Sequence, residues 1–454
     1  MIKTIYNIAP YSIKCAIASV YGFYLDHVRY DDSLRKRVDQ YLERETWTEN
    51  QWNSWQQDSL QRTLFYARKY VPFYKNYWRG KTKSYEQIEN WPIITKKIIN
   101  ENPDLFFDER FKKNKLYHDH TSGTTGTPID IYLDHDSVKE QYALFEARVK
   151  LKYNLQFNDI WAIIGTQRVT KIKKKTPPYW VYNFSSKQLY FSSLHIAPWS
   201  ARDYYHAFVK YQPKYMIGYT NSIYELAKFM SAHNLTFKLK AIITNAEPVY
   251  DYQINDIQKV FDCPVVETYG QAELVCFANK FPDGVMYESP EMGHSEIITV
   301  EDRNDQQFGK LIATGLLNKS MPLIRYDTDD LISTEFDDKM NHSCSLPPFR
   351  DILGRNDDIL ITKDGRKVVQ IDGIFSSDLN ILKGQIIQKT HTDFLIKVVP
   401  STGWNEQSVS MLKANFSERI QNVNVEIQVC DEIEKTWAGK FRVIKSELSN
   451  PAIH

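Results

Sequence analysis

The stretch Thr121-Ser122-Gly123-Thr124-Thr125-Gly126-Thr127-Pro128 constrains this chain more than any other. Five of its eight residues carry hydroxyls and two are glycines, with no bulky side chain among them. Glycine admits φ > 0 and lets backbone N–H groups close on an anion, while the hydroxyls add donors that can follow a phosphate chain. Ahead of it runs Lys115-Leu116-Tyr117-His118-Asp119-His120, and after it Ile129-Asp130-Ile131-Tyr132-Leu133 alternates like a half-buried strand. Strand, polar loop and strand predict a hairpin that closes over a triphosphate. No Gly-Lys-Ser/Thr opens a helix here, so the loop is not a Walker loop. Surface turns rich in Ser, Thr and Gly are common, and alone the loop favours phosphate binding only modestly.

At 454 residues the chain predicts more than one domain. Lys+Arg 57 against Asp+Glu 56 leaves a net charge of +1, which gives no case for a nucleic-acid partner. Five scattered cysteines without C-x-x-C spacing read as reduced thiols in a cytoplasmic protein. The apolar stretch Tyr6–Tyr24 is interrupted by Lys14 and is too short and polar to span a bilayer, so no integral membrane segment is expected. It reads as an amphipathic helix packed on the body, with peripheral association at a membrane surface as the lesser reading.

Further along, helical spacing at Leu34, Val38, Tyr41 and Leu42, and again at Leu60, Leu64 and Ala67, predicts helices that end before Pro72. Short apolar runs at 160–165, 214–219 and 239–244 alternate with helical segments, which implies parallel strands with helical crossovers. The 239–244 run leads into Asn245-Ala246-Glu247-Pro248. The next leads into Thr268-Tyr269-Gly270-Gln271-Ala272-Glu273. Then come Arg325-Tyr326-Asp327-Thr328-Asp329-Asp330, Gly354-Arg355-Asn356-Asp357-Asp358 and Gly439-Lys440-Phe441-Arg442.

In this order the loop and the five phrases resemble the signatures of the adenylate-forming superfamily of acyl-CoA synthetases, adenylation domains and luciferases. Ala67-Arg68-Lys69-Tyr70-Val71-Pro72-Phe73-Tyr74 and the phrases NAEP and YGQAE resemble its phenylacetate–CoA ligase and CapK-type branch. The resemblance runs from about Pro72 to Arg442. It implies that Thr121, Ser122, Gly123, Thr124, Thr125, Gly126 and Thr127 hold the β- and γ-phosphates of ATP. Asn245, Ala246, Glu247 and Pro248 line the adenine, with Thr268, Tyr269, Gly270 and Gln271 beside them. Glu273 holds Mg²⁺, Asp330 grips both ribose hydroxyls and Arg355 reaches the ribose or phosphates. Lys440 is the catalytic lysine and Asp357 the hinge. The acid pocket is expected at Gly218 and Tyr219. Two departures stand out: Asn245 and Asp329 both replace a customary glycine.

The implied fold is α/β. A large N-terminal domain of stacked sheets flanked by helices spans 1–355, its helical start running to about 80, and a small mobile α+β lid spans 356–454. The implied chemistry is ATP- and Mg²⁺-dependent activation of a carboxylic acid through an acyl-adenylate. Transfer to the thiol of CoA follows, or, as the alternative, to an amine or amino acid in the making of an amide on a sugar acid for surface polysaccharide. A non-catalytic nucleotide-binding relative ranks last. Cys276, His342 and Cys344 lack the spacing of a four-ligand zinc site, so no zinc is expected.

Overall fold

The computed structural model describes residues 6, 9–121, 128–165, 167, 169–171, 174–300, 308–333, 343–355, 360–363, 367–368, 374–375, 379–434 and 442–448. The loop residues 122–127, the hinge candidate Asp357 and the catalytic candidate Lys440 therefore lie outside the described residues.

Helices come first. Tyr11–Arg29 is followed by Leu34–Arg44 and Glu49–Tyr70, the last opened by a capping box between Thr48 and Gln51. As the sequence predicts, the helix stops before Pro72, and Pro72 itself opens a short helix to Tyr77, where its missing N–H costs nothing. The N-terminal helix packs on the body. Gly22 is what allows this, since a Cβ there would collide with the Asn183 side chain. Val20, Phe23 and Tyr24 stay exposed on its outer face. No helix among the described residues is long and apolar enough to cross a membrane.

Strands β1 (Tyr117–His120) and β2 (Asp130–Leu133) pair antiparallel, Tyr117 with Leu133 through His120 with Asp130, and so form the expected hairpin. Thr121 closes it at the loop end, its hydroxyl accepting from the Ile129 N–H at 3.0 Å.

The principal sheet has eight strands: β3 (Trp161–Gly165), β4 (Trp180–Asn183), β5 (Gln188–Ser192), β6 (Tyr215–Tyr219), β7 (Ala241–Asn245), β8 (Val265–Gly270), β9 (Phe277–Lys280) and β10 (Met286–Glu288). Their spatial order is β10-β9-β8-β7-β6-β3-β5-β4. The stretch from β8 through β7, β6 and β3 to β5 is parallel, and alternate residues of β3 and β5 are buried on one face and partly open on the other. A four-stranded antiparallel sheet, β11 (Gly293–Val300), β12 (Phe308–Gly315), β13 (Tyr326–Ser333) and β14 (Ile352–Arg355), packs with the early helices around a second core.

Beyond the short pair β15 (Leu360–Ile361) and β16 (Lys367–Val368), a compact α+β unit follows. It holds β17 (Ile381–Gln388), β18 (Asp393–Pro400), the helix Glu406–Arg419, β19 (Asn424–Val429) and β20 (Ile444–Ser446). The parallel pairing of β18 with β19 needs the intervening helix as a crossover, and Leu412 and Phe416 of that helix fill this unit's own core. Tyr250 and Tyr252 of the large domain pack against that core. An ion pair between Lys383 and Glu225, both shielded from solvent, joins the two at 3.0 Å. A mixed α/β body with a small C-terminal α+β domain is the architecture expected.

Candidate active site

Parallel strands leave their C-terminal ends side by side, and a ligand fits in the crevice those ends share. Here the register sets Tyr219 of β6 opposite Asn245 of β7, and Thr244 of β7 opposite Glu267 of β8. The turns that leave these strands are the phrases picked out above. Thr268 ties two of them together, its hydroxyl donating to the Thr244 carbonyl at 2.7 Å. Glu247 turns its carboxylate to the helix that starts after β6, accepting from the Asn221 N–H at 2.9 Å and from its amide at 3.1 Å. That grip fixes the 245–248 backbone as a wall.

A single cavity of about 1320 Å³ opens there. Tyr219, Asn245, Ala246, Glu247 and Pro248 line it, as do Thr121 and the run Thr268, Tyr269, Gly270, Gln271, Ala272 and Glu273. Asp330 enters from β13, and Arg442 from the small domain. Arg355 pairs with Asp330 across β13 and β14 through its backbone. Gly218 is the exception. It points away from the cavity and lies so close to β3 that a Cβ would sit 2.8 Å from the Ile164 carbonyl oxygen. It is a packing glycine, and the pocket side of β6 is Tyr215, Ile217 and Tyr219 by simple alternation.

Two buried carboxylates face the cavity, each clamped by a tyrosine. The Tyr269 hydroxyl donates to Asp330 Oδ2 at 2.7 Å and itself receives the Gln271 amide. The Tyr326 hydroxyl donates to Glu273 Oε1 at 2.7 Å. Glu273 is 5% exposed and Asp330 7%. Burial, and then the neighbouring carboxylate, push both phenols far above the ordinary tyrosine range, so they remain donors. The Tyr269 ring also stacks on Phe349, centroids 5.4 Å apart. Glu273 Oε2 has no hydrogen bond or ion pair among the described residues. An anionic oxygen, shielded and without a donor, is what a hard divalent cation takes, so the residue fits Mg²⁺. Asn245 Oδ1 and Gln271 Oε1 are buried acceptors without a donor among the described residues, and a base amino group would satisfy either.

The two departures from the family pattern separate under backbone geometry. Asn245 is an ordinary strand end, and the left-handed position falls on Ala246 at φ 61°. Replacing glycine by Asn245 therefore costs no strain. Asp329 does stand at a left-handed φ of 62°, where glycine is at ease and Asp is among the better-tolerated side-chain-bearing residues. Its N–H is held by Asp327 Oδ1 at 3.0 Å. Of the residues that shape the site, Tyr326 stood in a phrase already singled out, whereas nothing in the sequence marks Asn221 or Phe349.

The fold is that of adenylate-forming ligases of known structure. The structure of a 2-hydroxyisobutyryl-CoA ligase in the postadenylation state, in complex with R3-HIB-AMP, superposes with a TM-score of 0.67 at 16% identity, covering 89% of this chain and 92% of that one. An open conformation of a 2-hydroxyisobutyryl-CoA ligase in complex with 2-HIB-AMP and CoA gives 0.53 at 18% identity, over 88% and 93% of the two chains.

The chain is also similar to CapK-type proteins. Residues 360–447 match the CapK C-terminal domain family. Protein CapK of Staphylococcus aureus is 25% identical over 97% of this chain and 98% of its own.

Proposed function

We propose that this protein is an AMP-forming ligase that activates a carboxylic acid with ATP and Mg²⁺ and passes the acyl group to the thiol of CoA. The observation that carries the reading is the pair of tyrosine-clamped carboxylates, Glu273 and Asp330, in one cavity with the 245–248 and 268–271 turns.

A carboxylate cannot be displaced directly, because its leaving group would be oxide. Its oxygen instead attacks the α-phosphorus of ATP, pyrophosphate leaves, and an acyl-adenylate with AMP as a good leaving group results. Catalysis of such a step is positioning and charge stabilisation. In this reading the 121–127 loop holds the β- and γ-phosphates and Asp330 accepts from the two ribose hydroxyls. Glu273 Oε2 holds Mg²⁺, which when bound neutralises phosphate charge. Lys440 bridges the acid carboxylate and the α-phosphate. The small domain, hinged at Asp357 between units 1–355 and 356–454, then withdraws Lys440. The thiol sulfur of CoA attacks the acyl carbon, a thioester forms, AMP departs and the thiol proton passes to solvent. The CoA complex of the 2-hydroxyisobutyryl-CoA ligase supports this choice of acceptor. With an amine as acceptor the same adenylate gives an amide.

Pyrophosphate release from ATP and Mg²⁺ with a panel of acids, with and without CoA, tests the proposal. Acid-dependent release that turns over only with CoA is expected. Turnover that needs an amine instead makes the protein an amide ligase, and ATP use without any acid contradicts the reading.

A further inference from the structure

The cavity does not end at the nucleotide residues. It runs back along the sheet to the N-terminal ends of β3 and β6, where Trp161 and Tyr215 line it, and there the end of the N-terminal helix supplies Arg29, and the residue after it, Tyr30, joins them. Four residue steps separate Tyr215 from Tyr219, so this far end lies roughly 13 Å from the adenine wall. Most of its charged groups are held by neighbours: Lys187 donates to the Asn158 carbonyl at 3.2 Å, and Asp119 accepts from the His120 N–H at 2.8 Å. A π-turn at Glu146–Lys150 sets the Lys150 ammonium 2.5 Å from Glu146, whose carboxylate also receives the Tyr30 hydroxyl. Lys280 pairs with Glu267 at 3.0 Å. Asp26 turns its carboxylate to the hydroxyls of Ser185 and Ser186 at 2.9–3.0 Å.

Arg29 differs. No ion pair joins its guanidinium to a carboxylate among the described residues; the Asp26 carboxylate acts on it only at longer range, while held by Ser185 and Ser186. It lies 4.7 Å from the Tyr142 ring centroid and interacts with the phenols of Tyr117 and Tyr30. Tyr117 stands at the base of the β1–β2 hairpin, roughly 10 Å of strand away from the loop at its tip, so Arg29 is remote from the loop expected to hold phosphate. A half-buried guanidinium facing a cavity presents a planar fork suited to an oxyanion, and aromatic walls strengthen that interaction by excluding water.

We propose that Arg29 binds a second anionic group of the acid, so that the substrate carries one carboxylate to be activated and another, or an equivalent oxyanion, at its opposite end. This rests on the adenylation reading for which end reacts, but not for its test. An acid of this class is polar and bifunctional, unlike an arylacetate, which would leave Arg29 facing an apolar group.

The test is isothermal titration of the intact protein, saturated with Mg²⁺ and a non-hydrolysable ATP analogue, using malonate, succinate, glutarate and adipate against the monoacids of the same carbon number. The expected result is that at least one diacid binds roughly tenfold or more tightly than its monoacid partner. Arg29→Gln should abolish that preference, Arg29→Lys should retain part of it, and affinity for the ATP analogue should stay unchanged in both. No diacid preference in the wild-type protein overturns the proposal, as does a preference that survives Arg29→Gln. Loss of analogue affinity in either variant assigns Arg29 to the nucleotide and overturns it too. Should Arg29→Gln fail to fold, the wild-type preference and its weakening in Arg29→Lys decide. Because no chemistry is read, failure of adenylation itself would show only in turnover assays.

Discussion

The two ends of the cavity are built in different ways. At the nucleotide end, two walls are short contiguous phrases at strand ends, Asn245–Pro248 at the end of β7 and Thr268–Glu273 at the end of β8. At the far end, the wall is assembled from Arg29, the helical stretch that carries Tyr142 and Lys150, and Tyr215, three segments far apart in the chain. On the proposed reading, a chemistry common to many acids is carried by local backbone geometry, whereas the choice of acid is carried by tertiary packing. Changes at the first end should remove activity, and changes at the second should redirect it.

The largest effect is expected at Lys440→Ala, with acid-dependent pyrophosphate release falling about 10³-fold or more because a preorganised charge on the transition state is lost. Substrate binding by titration should change little, and a residual rate near wild type would make the protein a nucleotide binder. Asp330→Asn comes next. It weakens a charge-assisted acceptor for ribose and leaves the Tyr269 hydroxyl with a poorer partner. The Michaelis constant for ATP should rise about tenfold to a hundredfold, with the preference among acids unaltered. A shifted acid preference in that variant would blur the division between the two ends.

Gly218→Ala sharpens the comparison in another way. Its new Cβ meets the Ile164 carbonyl rather than the cavity, so urea unfolding should show a loss of about 1–3 kcal/mol while the folded protein keeps its acid preference. Smallest is Asp329→Gly. Relief of a left-handed backbone should stabilise the fold by about 1 kcal/mol, seen as a rise of about 1 °C in Tm for a chain of this length, with little change in rate. A large gain in rate would mean instead that the extra carboxylate impedes ATP.

How far each feature could be read in advance follows from how it is encoded. The β1–β2 hairpin and the strand ends were legible because turn residues and apolar runs sit next to each other in the chain. Asn245 drew attention as a missing glycine, but the left-handed residue is Ala246, a one-position difference that only φ angles separate. The strand end at Gly218 and Tyr219 reads from the sequence as pocket, and Tyr219 does line the cavity while Gly218 does not. Alternation puts it on the far face instead, where close contact with β3 explains why it has no side chain. Arg29 carries no local mark at all. Only the docking of its helix, made close by Gly22, brings it to the cavity.

Adenylation of a carboxylate at the Glu273–Asp330 end would be seen as exchange of labelled pyrophosphate into ATP. With acid and Mg²⁺ present and no acceptor, label should enter ATP, should fail to do so without the acid, and should be lost in Lys440→Ala. Label that never enters ATP with any acid, or ATP consumed to ADP and phosphate, would contradict the account.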